Sequence, residues 1–169
     1  DAGKLDSALE KFTAAGEFED ATTKAAQITA YQEAESNVSE GKYQEARAVY
    51  IQLGDYLQST EKLESCNAAI YSEAAELKAN GDYAKANELY VLISGYSDSA
   101  DIASQFKVDY QAATDILEKG NYDDAYVAFV ALKNYSDSPT KAKESLYLKA
   151  ESLKEAGSFD DAVVIYSGL

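Results

Sequence analysis

The chain has 169 residues, with 15 Lys+Arg against 30 Asp+Glu, no His, a formal net charge of -15 and a pI near 4.3. Without His there is no imidazole base, no Ser-His-Asp or Cys-His machinery and no His metal ligand, and a single Arg (Arg47) in so acidic a chain argues against gripping a phosphate backbone. Hydrophobic residues still make up 46%, and 14 residues are Tyr, so the chain has surface to bury and is not a disordered acidic tail.

Glycines set a beat along the chain. Gly3, Gly41, Gly81, Gly120 and Gly157 lie 38, 40, 39 and 37 residues apart, and such a period predicts a stacked array of like units. The first predicted element is a helix around Leu5–Phe12, the second helix of a partial unit over residues 1–19. The next unit, about residues 20–58, carries Tyr31 and Ala34 before Gly41 and Tyr43, Ala46, Tyr50 and Tyr56 after it. A unit of about residues 59–98 repeats this with Tyr71, Ala74, Gly81, Tyr83, Ala86, Tyr90 and Tyr96. Residues 99–137 give Tyr110, Ala113, Gly120, Tyr122, Ala125, Phe129 and Tyr135, and residues 138–169 give Tyr147, Ala150, Gly157, Phe159, Ala162 and Tyr166. Eighteen residues after each of the first four glycines stands a small residue: Ala21, Ser59, Ser99 or Ser138.

These spacings are helical. Large and small residues at two, five and nine after each Gly fall on one face of a 3.6-residue period, and the Tyr and Ala before each Gly do the same. The expected unit is a long helix of roughly 18–20 residues, a Gly turn with a left-handed residue, and a short helix of roughly 12. Asp82, Asn121 and Ser158 are suited to cap the short helices, and Asp123, Asp124, Asp160 and Asp161 suit their first turns, where the helix dipole favours carboxylates. Ser138 followed by Pro139 reads as an N-cap with Pro at the first helical position. No strand pattern competes, so the expected fold is all-α, with about nine helices in one array over residues 1–169.

The pattern Gly-x-Tyr-x-x-Ala-x-x-x-aromatic, with a small residue seven before the Gly, resembles the tetratricopeptide (TPR) repeat. The resemblance implies a right-handed α-solenoid of antiparallel helix pairs. Ala34, Ala74, Ala113 and Ala150 would then allow close approach within each pair, and Ala46, Ala86, Ala125 and Ala162 would form the second small contact. Two features depart from the family: the period is about 39 rather than 34, and its inter-repeat Pro and first-helix Trp are absent. Extended units with a Tyr-x-Asp-Ser junction look like those of bacterial multi-repeat proteins.

Thirteen of the 14 tyrosines fall on repeat positions, Tyr126 being the exception, and regular recurrence fits helix packing better than a unique pocket. Tyr31, Tyr71, Tyr110 and Tyr147 are the candidate partner-binding residues, because by resemblance they lie near first-helix positions that can face the groove. Packing in the core is the alternative for them. The same resemblance puts Glu35, Ala75, Thr114 and Glu151 on the groove side, where the two carboxylates would repel an acidic peptide end. Any protein or peptide partner is therefore expected to be basic or neutral.

The acidic residues near the turns, Glu17, Glu19 and Asp20 among them, form no Asp-x-Asp-x-Asp-Gly calcium loop, and no metal site, cofactor or catalytic residue is expected. Cys66 stands where other units carry Ala26, Gln105 and Ala142, which reads as a small buried filler. No apolar run reaches the ~18 residues of a spanning helix, so direct membrane insertion is not expected. The chain opens at Asp1 rather than Met and reads as a piece of a longer protein, which leaves its localisation open. The function expected is a protein–protein interaction scaffold with a concave helical-repeat face. A spacer or head-to-tail self-associating segment is the alternative, since Val163, Val164 and Ile165 suggest apolar surface awaiting a neighbour.

Overall fold

The computed structural model describes residues 2–169 and is all-α, with nine helices and no strand among the described residues. They are α1 (Ala2–Ala15), α2 (Ala21–Ser39), α3 (Tyr43–Leu53), α4 (Ser59–Ala79), α5 (Tyr83–Leu92), α6 (Ser99–Glu118), α7 (Tyr122–Ala131), α8 (Ser138–Glu155) and α9 (Phe159–Ser167). Long helices of 18 to 21 residues alternate with short ones of 9 to 11 after α1. The chain forms two compact units, residues 1–70 and 71–169, divided within α4 rather than at a repeat border.

The Gly turn is a Schellman motif repeated four times. Gly41, Gly81, Gly120 and Gly157 all have φ between 75 and 82°, which glycine adopts without the penalty a Cβ brings. The N–H groups of Lys42, Asp82, Asn121 and Ser158 reach back to the carbonyls of Asn37, Leu77, Ile116 and Leu153 at 2.8 to 3.3 Å. This closes each long helix and starts the short one. Asp82, Asn121 and Ser158 are indeed the N-cap residues, but only Asp82 uses its side chain, accepting from Lys85 N–H at 3.3 Å.

At the other junction the N-cap of α8 is Asp137, not Ser138, and Pro139 lies in the first turn as its missing N–H allows. Ser138 is inside the helix and fully buried. The same holds for Ser59 and Ser99, so the small residue at this position is a packing requirement. The backbone also turns left-handed after each junction aromatic: Glu19, Leu57, Ser97 and Ser136 have φ of 49 to 52°. Nothing in the residue types announced this, since none of the four is Gly or Asn.

The small residues do what their spacing predicts. Ala34, Ala74, Ala113, Ala150, Ala46, Ala86, Ala125 and Ala162 are all buried, and so are Tyr50, Tyr90 and Phe129. In residues 1–70 the core gathers Tyr31, Ala34, Ala46, Tyr50 and Cys66. In residues 71–169 it gathers Ala113, Leu117, Ala125, Phe129, Leu132 and Ala142. Cys66 is buried, and burial pushes its thiol above the usual range. Its counterparts are better counted from the start of each long helix than from the Gly. Seven residues after Ala21, Ser59, Ser99 and Ser138 stand Ile28, Cys66, Phe106 and Ser145, all buried, whereas Gln105 and Ala26 are exposed. The long helices differ in length, so the two ways of counting give different partners.

Candidate functional site

The long helices hold the four candidate tyrosines at one register. Each ring packs edge-on against the aromatic of the following short helix: Tyr31 on Tyr50, Tyr71 on Tyr90, Tyr110 on Phe129 and Tyr147 on Tyr166, with centroids 5.6 to 5.9 Å apart. Tyr31, Tyr71 and Tyr110 also meet the junction aromatics Tyr56, Tyr96 and Tyr135 at 5.9 to 6.3 Å. Such T-shaped pairs align the positive ring edge with the negative ring face. Burial nevertheless falls along the series. Tyr31 is 4% exposed, Tyr71 and Tyr110 are half-buried, and Tyr147 is 49% exposed. Each tyrosine pairs with aromatics of its own repeat, and the ring contacts do not join the four to one another.

Their hydroxyls explain the Tyr-x-Asp junction. Tyr71 donates to Asp98 Oδ1 at 2.7 Å, Tyr110 donates to Asp137, and Tyr31 donates to Gln58 Oε1 at 3.2 Å, each 27 residues further on. The Asp two residues after the junction aromatic is thus the acceptor for the long-helix tyrosine of its own repeat. The bond holds the phenols of Tyr71 and Tyr110 above the usual range and, seen from the other side, depresses the Asp98 carboxyl. The Tyr31 phenol is raised chiefly by burial and then by the Glu35 charge. The sequence displayed this signature without disclosing its partner, because 27 residues of helix and turn separate donor from acceptor.

The two carboxylates that the resemblance puts on the groove side are engaged. Glu35 accepts from the Tyr50 hydroxyl through one oxygen and from Lys62 Nζ at 3.0 Å through the other. Burial alone would raise its carboxyl, but these two bonds overcome that and hold it below the usual range. Glu151 is likewise held low by Lys154 first and then by the Tyr166 hydroxyl. Neither stands as the bare negative charge that the sequence suggested, because a lysine on the same or the following long helix answers each one.

Two clefts open within the separate units. In residues 1–70 a cleft of about 720 Å³ lies between α1, α2 and the start of α4, lined by Lys4, Leu5, Tyr31, Gln32, Glu35, Leu57, Gln58 and Lys62. In residues 71–169 a cleft of about 410 Å³ surrounds Phe106, with Lys78, Tyr83, Ile102, Asp109 and Leu132 in its walls. Phe106 stacks on Tyr135 at 5.4 Å, and Lys78 Nζ lies 5.8 Å from the Phe106 ring centroid, a cation–π approach. Among the described residues no His, Cys, Asp or Glu cluster converges as a metal site, and no helix is long and apolar enough to cross a membrane.

No protein-family model, curated protein or solved structure matches the chain.

Proposed function

We infer that the chain is a non-catalytic interaction scaffold of TPR-like helix pairs, presenting the solvent faces of its long helices to a protein or peptide partner. The observation that carries this reading is the tyrosine series. The same register holds a tyrosine ring on every long helix from α2 to α8, packed edge-on against the next short helix, nearly buried at Tyr31 and half-exposed at Tyr147. Rigid, part-exposed tyrosines offer contact area at low entropic cost, which suits partner binding. The formal charge of -15 favours a basic or neutral partner over an acidic one and disfavours nucleic acid. The depressed carboxyls of Glu35, Asp98 and Glu151 are tied to tyrosine and lysine partners within the repeats, which supports a role without chemistry.

The test uses the full chain against matched acidic and basic peptides and against candidate proteins. A saturable ligand that weakens about tenfold on Tyr147→Ala, with the helical fold retained, supports the reading. Tighter binding of the acidic peptide than of its basic counterpart sinks the charge assignment. A second reading, head-to-tail self-association, is favoured by α9, where Phe159, Val163 and Val164 are all exposed. Light scattering that stays monomeric at high concentration removes it.

A further inference from the structure

Departures from a repeat mark where one unit does something its siblings do not. The α3–α4 junction departs twice. Where other junctions carry Glu19, Ser97 or Ser136, this one carries Leu57, and where they carry Asp20, Asp98 or Asp137, it carries Gln58. Leu57 has φ 51° and is 49% exposed, so a bulky apolar residue is kept in a strained left-handed conformation without being buried. Both side chains line the 720 Å³ cleft, whose size is that of small-molecule sites.

The two replacements change the chemistry of the cleft in one direction. A carboxylate is gone and an apolar surface is added, beside Leu5 and the Tyr31 ring. The hydrogen-bonding capacity left over is mostly donor. Gln58 Oε1 is taken by the Tyr31 hydroxyl, which leaves its amide N–H groups available. Lys62 spends one of three N–H bonds on Glu35, and both Glu35 oxygens are engaged. Gln32 is turned by its bond to Asp6 Oδ1 at 2.6 Å. An occupant therefore meets the Lys62 ammonium and the Gln58 amide together with leucine and tyrosine carbon.

We propose that the cleft bounded by Leu57, Gln58, Tyr31 and Lys62 binds a small amphiphilic carboxylate, its oxygens on Lys62 Nζ and the Gln58 amide and its short apolar body on Leu5, Leu57 and Tyr31. The site shares Tyr31 with the partner-binding series proposed above and reverses the charge preference of that series locally. It is built by α1, α2, the α3–α4 junction and the start of α4, all within residues 1–70.

Hexanoate, hexylamine and hexanol are the probes, titrated into the full chain while backbone amide shifts are followed by NMR. Hexanoate is expected to saturate at millimolar concentration, with shifts centred on Leu5, Tyr31, Leu57, Gln58 and Lys62, and to bind about tenfold more tightly than hexylamine. Lys62→Met is expected to abolish that preference. Leu57→Asn is expected to weaken hexanoate about threefold while leaving the thermal midpoint unchanged or higher, because Asn tolerates the left-handed backbone. This second variant separates loss of the site from loss of the fold. Hexylamine binding as tightly as hexanoate, shifts scattered away from the cleft, or no saturation by hexanoate each overturns the proposal.

Discussion

In residues 1–70 the short-helix aromatic is Tyr50, whose hydroxyl is held by Glu35 and, through it, by Lys62. At the same place in the repeat of residues 99–137 stands Phe129, and the Glu35 position is Thr114, whose hydroxyl donates back to the Tyr110 carbonyl at 3.0 Å. Both rings are fully buried and both meet the long-helix tyrosine edge-on at nearly the same distance. The packing frame is indifferent to the hydroxyl. What a buried hydroxyl adds is an obligation, which the first unit meets with a carboxylate and a lysine and which Phe129 does not incur. Tyr166 with Glu151 and Lys154 repeats the first solution.

The comparison breaks first at the rings. Tyr50→Ala and Phe129→Ala are each expected to cost about 3–5 kcal/mol in urea unfolding, because both leave a cavity in a closed core. A clearly smaller loss at either position would mean that one core is softer than the other. Tyr50→Phe is expected to cost about 1 kcal/mol, since Glu35 loses one of two donors in a part-exposed site. Adding Glu35→Thr, which copies the second unit, should recover about half of that in a double-mutant cycle.

The same pair sets an acid response. Glu35 is depressed in the folded state, so its contribution is present above the ordinary glutamate range and fades as pH falls through the folded value. The wild type should therefore lose more stability between about pH 6 and about pH 3 than the double variant does. Equal slopes would show that Glu35 is not a source of acid sensitivity.

Smaller effects distinguish the junctions. Leu57→Gly is expected to raise stability by about 1 kcal/mol in thermal melts by releasing a left-handed leucine. Ser97→Gly should gain less, as serine carries the lighter penalty at the same φ. Smallest are the buried serines. Ser59 Oγ donates to the Tyr56 carbonyl at 2.6 Å, whereas Ser99 Oγ and Ser138 Oγ are buried without a partner. Ser59→Ala is expected to cost a few tenths to about 1 kcal/mol, and Ser99→Ala and Ser138→Ala to be neutral or slightly stabilising.

The helix pairs were legible because their determinants are local. Gly41 needs only its own φ, and Ala34 or Ala125 needs only a neighbour too close for a larger side chain. The tyrosine acceptors were not, because a bond from Tyr71 to Asp98 depends on how two helices and two turns add up. Left-handed Leu57 was hidden for a related reason: its backbone is imposed by the junction and contradicts its own preference. The acidic reading of Glu35 failed to include Lys62, which lies on the next long helix. Of the cleft, the sequence displayed Leu57 and Gln58 as departures from a pattern but gave no measure of the space beside them.

The reach of each polar bond also bears on how the chain comes to be folded. Tyrosine hydroxyls find acceptors 27 residues on or 15 residues back. At about 5–20 residues/s of synthesis, donor and acceptor emerge within a few seconds of each other, and each helix pair can close while the next is still being made. Contacts this short also favour rapid folding. Asn134 works on another scale, bonding Asp82 Oδ1 at 2.8 Å and the Ala84 N–H at 3.1 Å across 52 and 50 residues. Those two bonds wait for the α7–α8 junction to be made and then fasten it onto a turn completed a repeat earlier.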